Sequence, residues 1–365
     1  MLNRFDSLLR MAAWSLVFAC PAILAQSPPE PEPEPEPAVE ESTPIAPYQL
    51  GQGRALGDSG VTLGGYAVAA YDGTGGASGE PDWRAGLDSL SGFLWWDGGG
   101  RWRFFTEVEL EDSLLANSDE FTTDEAYLGL ERLYFDYSYS DSLTFRFGKF
   151  LTPIGHWNLI HAAPLVWTTS RPLVTEATFP VNATGAMLTG VLPWLPRGLE
   201  YSIYGSPGQE LFPNPELDAF KEAYGLHLST DLLPQLNVGL SFVDFELDSS
   251  VGQRRRLYGA DFQWNWRRFE LTGEFAYRVT SLTNAERDEQ GGYLQLVAPL
   301  GERLFAVARY ETFRDTAATR DLNVYLGGLN YRPYPGLVFK AEYSRATDND
   351  IDARDGLLAS FAVMF

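Results

Sequence analysis

The chain has 365 residues, 45% of them hydrophobic and 14% aromatic, with a formal net charge of -22 and a single cysteine, Cys20. Ample apolar material that never gathers into a long run after Ala25 excludes a bundle of membrane helices. The acidic balance disfavours nucleic acid as a partner, and one thiol excludes an internal disulfide or a cysteine metal cluster.

Arg4 and Arg10 precede an apolar stretch from Met11 to Ala25, and the Ala25 to Gln26 bond is a suitable cut, so residues 1–25 are predicted to be a secretory signal peptide. The apolar stretch, about fifteen residues, is too short for a retained spanning helix. A lipoprotein processed at Cys20 would need a small residue where Phe18 stands. Residues 26–60 are predicted to be a periplasmic leader, because Pro and Glu alternate from Pro28 to Pro37. Such a tract resists helix and sheet and extends by about 3 Å per residue. It is either a disordered leader or a tether toward a periplasmic partner. Gly51, Gly53 and Gly57 imitate a nucleotide-binding loop, but no strand precedes them and no amphipathic helix follows.

From Val61 to Phe365 one unit repeats: about ten residues of alternating character, closed in turn by a short turn and a longer polar loop. In the third unit Trp102, Phe104, Thr106, Val108 and Leu110 share one face, while Arg101, Arg103, Glu107, Glu109 and Glu111 share the other. Arg267 and Arg268 turn the chain between two further segments of this kind, 254–266 and 268–281. A soluble sandwich would bury the apolar face, whereas an outer-membrane barrel turns it to lipid and its charged face to a wet lumen. Mid-strand Arg, Glu and Asp need that water. Tyr137, Tyr139, Trp264 and Trp266 near short turns, and Tyr71, Tyr258, Tyr277, Tyr310 and Tyr343 near long loops, match two interfacial girdles.

The predicted fold is therefore all-β: a transmembrane antiparallel β-barrel over residues 61–365, with sixteen strands and a long third extracellular loop folded into the lumen. The strands are placed near 61–71, 88–97, 100–111, 127–139, 142–150, 184–192, 197–205, 222–231, 235–246, 254–266, 268–281, 290–300, 301–314, 320–333, 336–347 and 354–365. An even count leaves both termini in the periplasm, and counts of fourteen or eighteen are the alternatives. A slip of parity at Leu130 to Leu133 predicts a bulge.

Regular alternation breaks off after Phe150 and resumes near Thr184, with a stretch rich in Pro, His and Trp between. In layout the chain resembles the sixteen-stranded general porins of Gram-negative bacteria. Locally, Arg146, Gly148, Lys149 and Phe150 followed by Pro153 and Gly155 are similar to a stretch of the phosphate-selective porin family. What the resemblance implies is a homotrimeric outer-membrane channel for small hydrophilic solutes or ions, constricted by residues 151–183. It also implies lipid, lipopolysaccharide and the barrel-assembly machinery as partners, the last reading a terminal Phe365. That family lines its pore with positive charge, but here the inward set is mixed. It holds Arg101, Arg103, Arg132, Arg146, Arg278, Arg309 and Lys340 against Glu107, Glu109, Glu111, Asp136, Glu200, Asp261, Glu270, Glu274, Glu311 and Glu342. Opposed charges at a narrow point orient dipolar solutes, with a mild cation preference expected.

Arg146, Lys149, His156, His161, Arg171 and Glu176 are the candidates for the constriction itself, and each charge could equally brace the loop to the wall. Trp157, Trp167 and Tyr204 could form an aromatic strip for sugars or simply loop core. His156 and His161 lack the spacing of a zinc site, and His227 has no nucleophile elbow near it. Neither enzyme chemistry nor a cofactor or metal is expected. Arg254, Arg255 and Arg256 could hold lipopolysaccharide phosphates or be a solvated run. The alternative to a channel is a plugged barrel whose loops bind a partner.

Overall fold

The computed structural model describes residues 53–75, 83–160, 162–215, 217–282, 286–315, 321–348 and 353–365. The signal peptide and the Pro-Glu tract lie outside the described residues, as does His161. One antiparallel sheet of eighteen strands contains two two-residue pieces, 54–55 and 121–122, and sixteen long strands. In chain order these are β1 (Val61–Gly75), β2 (Arg84–Asp97), β3 (Trp102–Ala116), β4 (Tyr127–Ser140), β5 (Leu143–Leu151), β6 (Asn182–Leu192), β7 (Leu199–Ser206) and β8 (Phe220–Leu233). The second half comprises β9 (Leu236–Leu247), β10 (Arg254–Trp266), β11 (Phe269–Ser281), β12 (Glu286–Pro299), β13 (Leu304–Asp315), β14 (Leu322–Tyr334), β15 (Leu337–Thr347) and β16 (Asp355–Met364). Each pairs with its neighbour in sequence, and β16 pairs with β1 from Asp355 opposite Gly75 to Met364 opposite Tyr66. The sheet is therefore a closed barrel without edges, as a membrane demands of strands whose backbone groups have no water to bond.

The side chains divide as the alternation predicts. Leu240 (63% exposed), Phe275 (48%), Leu294 and Tyr343 stand on the outer surface. Glu107 (0%), Glu274, Arg309, Glu311 and Glu342 are buried on the inner one. Tyr71, Tyr139, Tyr258, Trp264, Trp266, Tyr310 and Tyr343 are exposed near strand ends. The turn between β10 and β11 is Arg267 and Arg268, with Arg267 in the left-handed region at φ 57 and its guanidinium 5.1 Å from the Trp266 ring centre.

Strand boundaries differ from the sequence expectation chiefly at the ends facing long connections. β1 runs to Gly75 rather than 71, β2 begins at Arg84 rather than 88, and β3 runs to Ala116 rather than 111. Ladder pairing continues there beyond the lipid-facing band, where nothing forces side chains to alternate. Arg54 and Ala55, assigned to the leader, pair with Leu63 and Thr62 of β1. The bulge in β4 falls on Glu131, since Glu107 opposes Arg132 while Val108 opposes Leu130.

A charge on the outer face should be costly in lipid and harmless to the lumen. Phe275→Arg, at the centre of β11, should lower barrel stability by about 2–4 kcal/mol in urea titrations of protein folded into lipid vesicles. An unchanged midpoint would mean that this face is not in hydrocarbon.

Candidate functional site: the segment inside the barrel

Among the described residues of 152–181, between β5 and β6, none is in a strand, and their polar backbone must find partners elsewhere. The segment first closes on itself at its neck. The Thr152 amide donates to Val181 O (2.8 Å), its hydroxyl donates to Pro180 O (2.9 Å), and Asn158 Nδ2 donates to Thr152 O (2.8 Å) and Val181 O (3.1 Å). Two glycines permit the entry. Gly148 adopts φ 130, and a Cβ there would sit 2.1 Å from Leu133 O on β4. Gly155 adopts φ 65, and a Cβ there would sit 2.1 Å from Glu274 Oε2 on β11. Both lie in the stretch that resembles the phosphate-selective porins, so its glycines answer to backbone approach.

Beyond the neck, inward charges of the wall serve the segment. Glu274 accepts from the amides of His156 (3.1 Å) and Trp157 (2.6 Å) and from the Tyr293 hydroxyl (2.9 Å). Glu342 accepts from the amides of Thr169 (2.8 Å) and Ser170 (2.7 Å). Lys340 Nζ donates to Ala163 O (2.6 Å) and Thr168 O (2.8 Å). Arg309 donates to Thr168 Oγ1, Ser170 O and Ser170 Oγ at 2.7–3.0 Å and pairs with Glu311. The short helix α1 (Leu173–Ala177) is held at both ends: Glu311 accepts from the Leu173 amide (2.6 Å), and Arg278 donates to Ala177 O (3.2 Å) and Thr178 O (2.8 Å). That polarity, anion at the start and cation at the end, also suits the helix dipole. All these anchors lie on β11 to β15, so the segment is docked against that side of the lumen.

The remaining candidates fall elsewhere. Glu107 pairs with Arg132 and accepts from Ser91 Oγ (2.9 Å), while Glu109 accepts from Tyr66 OH (3.3 Å) and Ser89. Arg146 grips Asp136 with two bonds (2.7 and 2.8 Å), and Arg103 pairs with Asp97 (3.0 Å). Arg101 is exposed at the turn before β3, beside Tyr137 OH (3.4 Å). Lys149 is drawn to a second connection, 207–219, pairing with Glu210 (2.6 Å) and donating to Phe212 O (3.1 Å). Burial raises the Glu210 carboxyl above the usual range, with the Lys149 pair opposing. Arg171 bonds Asn158 Oδ1 (2.6 Å) within the segment, over the Trp157 ring. Burial lowers it to about 10, against the attraction of Glu176 and Glu274. Glu176 is half exposed, 3.9 Å from Arg354.

Trp157 and Tyr204 are buried in packing, and Trp167 lies between the Phe305 ring and Arg332 while donating to Glu270 (2.8 Å). Arg254 and Arg256 pair with Asp244, and Arg254 also with Glu222, while Arg255 is buried and donates to Gln253 O (3.2 Å) and Ser250 Oγ (2.8 Å). Arg332, which donates to the carbonyls of Pro164, Leu165 and Val166 at 3.2–3.3 Å, was not among the candidates. It sits beside Pro333 at a strand end, where alternation is no guide. Among the described residues no group of His, Cys, Asp and Glu is placed to hold a metal ion.

A closed sixteen-stranded barrel with lipid-facing aromatics, a charged interior and an irregular segment docked inside it defines an outer-membrane channel. Comparison with known proteins carries this further: a profile of the Gram-negative porin family matches residues 12–355, and the chain belongs to that family. It is an outer-membrane diffusion channel, and family and fold are those of a channel rather than an enzyme. An uncharacterized protein of Aquifex aeolicus (strain VF5) is 22% identical over 358 residues, covering 84% of this chain and 80% of its own length. The fold is similar to the anion-selective porin from Comamonas acidovorans at TM-score 0.58 and 14% identity, covering 84% of this chain and 99% of that one. OmpF of Salmonella typhi, in complex with daunomycin, gives TM-score 0.60 at 11% identity, with 85% and 99% covered.

His156 supplies a pH test of docking. Burial pushes its imidazole from 6.5 down to about 4, so the docked segment holds the neutral ring. Docking is then strongest above the ordinary histidine range and weakens as pH falls toward that lower value. Corrected amide exchange at residues 154–158 should rise between about pH 7 and about pH 5, and His156→Gln should flatten the rise. Equal slopes in both proteins would remove His156 from the docking equilibrium.

Proposed function

We propose that small hydrophilic solutes and ions diffuse through a lumen constricted by residues 151–183, with mixed charge rather than a single sign lining the way. The observation that carries this reading is the docking of the segment by paired wall charges: Glu274, Arg278, Arg309, Glu311, Lys340 and Glu342 are all engaged by it. Charges committed to partners leave a weak field, which sorts solutes by size and dipole before sign. On the opposite wall Arg103, Arg132 and Arg146 pair with Asp97, Glu107 and Asp136, and Glu109 is a fourth carboxylate beyond those three pairs, which favours cations slightly.

We further infer that residues 1–25 are removed as a signal peptide, that residues 26–60 remain as a periplasmic leader, and that the long connections face outward. Lipid and lipopolysaccharide cover the outer face, and the barrel-assembly machinery inserts the chain. Three copies associate, a reading supported by the trimer form of OmpT of Vibrio cholerae, which has a similar fold (TM-score 0.55, 10% identity, 83% of this chain and 97% of that one).

Purified protein in a planar bilayer under a salt gradient should give steady ohmic current with a small reversal potential of cation-selective sign. No current from demonstrably folded barrel would favour the plugged alternative. Glu342→Ala leaves two amides of the segment without an acceptor, at a cost of about 2–4 kcal/mol in docking. Its channel should show larger and noisier conductance, and wild-type traces would mean that the segment does not set the pore.

A further inference from the structure

We propose that the lumen wall formed by β2, β3 and β4 binds neutral sugars, stacking the apolar face of a pyranose ring on Phe93 and Trp95. The proposal deepens the channel reading and rests on it. A water-filled lumen favours polar inward residues, yet here a connected set of rings faces inward. Tyr66 and Phe93 have ring centres 5.6 Å apart, Phe93 and Phe105 5.9 Å, Trp95 and Phe105 5.8 Å, and Phe105 and Tyr134 5.5 Å. Trp95 stands opposite Phe105 in register, and Phe105 opposite Tyr134, so these three form one level of the wall.

The inner rings already have covers. Tyr66, Phe105 and Tyr134 are buried, the Arg132 guanidinium lies 4.6 Å from the Phe105 ring centre, and that of Arg146 lies 3.7 Å from Tyr134. Phe93 and Trp95 are half-buried, Phe93 with the Arg132 guanidinium 6.0 Å from its ring centre, and part of each ring stays exposed.

Polar rows border this strip on both sides. Toward the short turns, Asp97, Arg103, Asp136 and Arg146 oppose one another in register across four strands, with alternating sign. Toward the long connections stand Ser89, Ser91, Glu107, Glu109 and Arg132. The guanidiniums of Arg103, Arg146 and Arg132 are paired with Asp97, Asp136 and Glu107, so none of these three is free to hold an anion. A paired carboxylate still has lone pairs, and a paired guanidinium still has N–H groups, for hydroxyls to meet. An apolar ring surface between two rows of hydrogen-bonding groups is complementary to a sugar ring, whose C–H face is apolar and whose hydroxyls project around its rim.

The test is current through the bilayer-inserted channel with maltotriose added on one side, and calorimetric titration of the folded barrel in detergent with the same sugar. Maltotriose should interrupt the current in a concentration-dependent way and give a binding heat. Trp95→Ala and Phe93→Ala should each raise the half-blocking concentration by about tenfold, with an unchanged far-UV circular dichroism spectrum as proof of folding. Absence of both block and binding heat, block of both variants at the wild-type concentration, or block by benzoate without block by maltotriose would each overturn the proposal. A barrel that binds maltotriose but passes no current would overturn the channel reading and leave the sugar site standing.

Discussion

A long irregular segment can sit inside a barrel only if its amides and carbonyls are satisfied there, because an unpaired buried backbone group costs as much as a lost hydrogen bond. In this protein the wall does that work with charge. Carboxylates at Glu274, Glu311 and Glu342 accept from amides, while cations at Arg278, Arg309, Arg332 and Lys340 donate to carbonyls. Charge-assisted bonds of this kind are stronger than neutral ones. Each charge is simultaneously relieved of the penalty that an unpaired ion would suffer away from water.

Docking of this kind makes the two sides of the lumen different. Along β11 to β15 the inward charges are consumed by residues 152–181, and the surface offered to a solute there is that of the segment itself. Along β2 to β5 the charges instead satisfy one another across strands, as Arg103 does with Asp97 and Arg146 with Asp136, and rings lie between the charged rows. A solute therefore travels between a hydrogen-bonded loop surface and a wall of neutralised pairs. Neither presents the concentrated single-sign field that a tight ion filter requires.

Lys149 and Glu210 show how a second connection joins the same logic. Lys149 stands two residues before the end of β5, yet its ammonium is committed to the connection between β7 and β8, whose Leu211 amide also donates to Thr184 Oγ1 (3.0 Å). Two connections are thus tied to one strand pair, β5 with β6, at the mouth of the segment.

Alternation with a period of two was enough to determine the barrel and which face meets lipid, because lipid and lumen impose opposite demands on successive residues, while the count of sixteen was settled against fourteen and eighteen by the closed sheet. The slip near Leu130 located the bulge that the backbone places at Glu131, for the same reason. The inward parity of Glu274, Arg309 and Glu342 was equally legible, but their purpose was not. Whether such a charge faces open water or an amide of residues 156–170 depends on where the irregular segment folds, and no local pattern encodes that path. Arg332 and Glu210 became visible only when distant parts of the chain were brought together, whereas the ring set of Phe93, Trp95 and Phe105 needed only the register of neighbouring β2 and β3. Sequence determines which way a strand residue points; contact across a lumen is decided by the closed three-dimensional structure, since the groups that meet there are far apart in the chain.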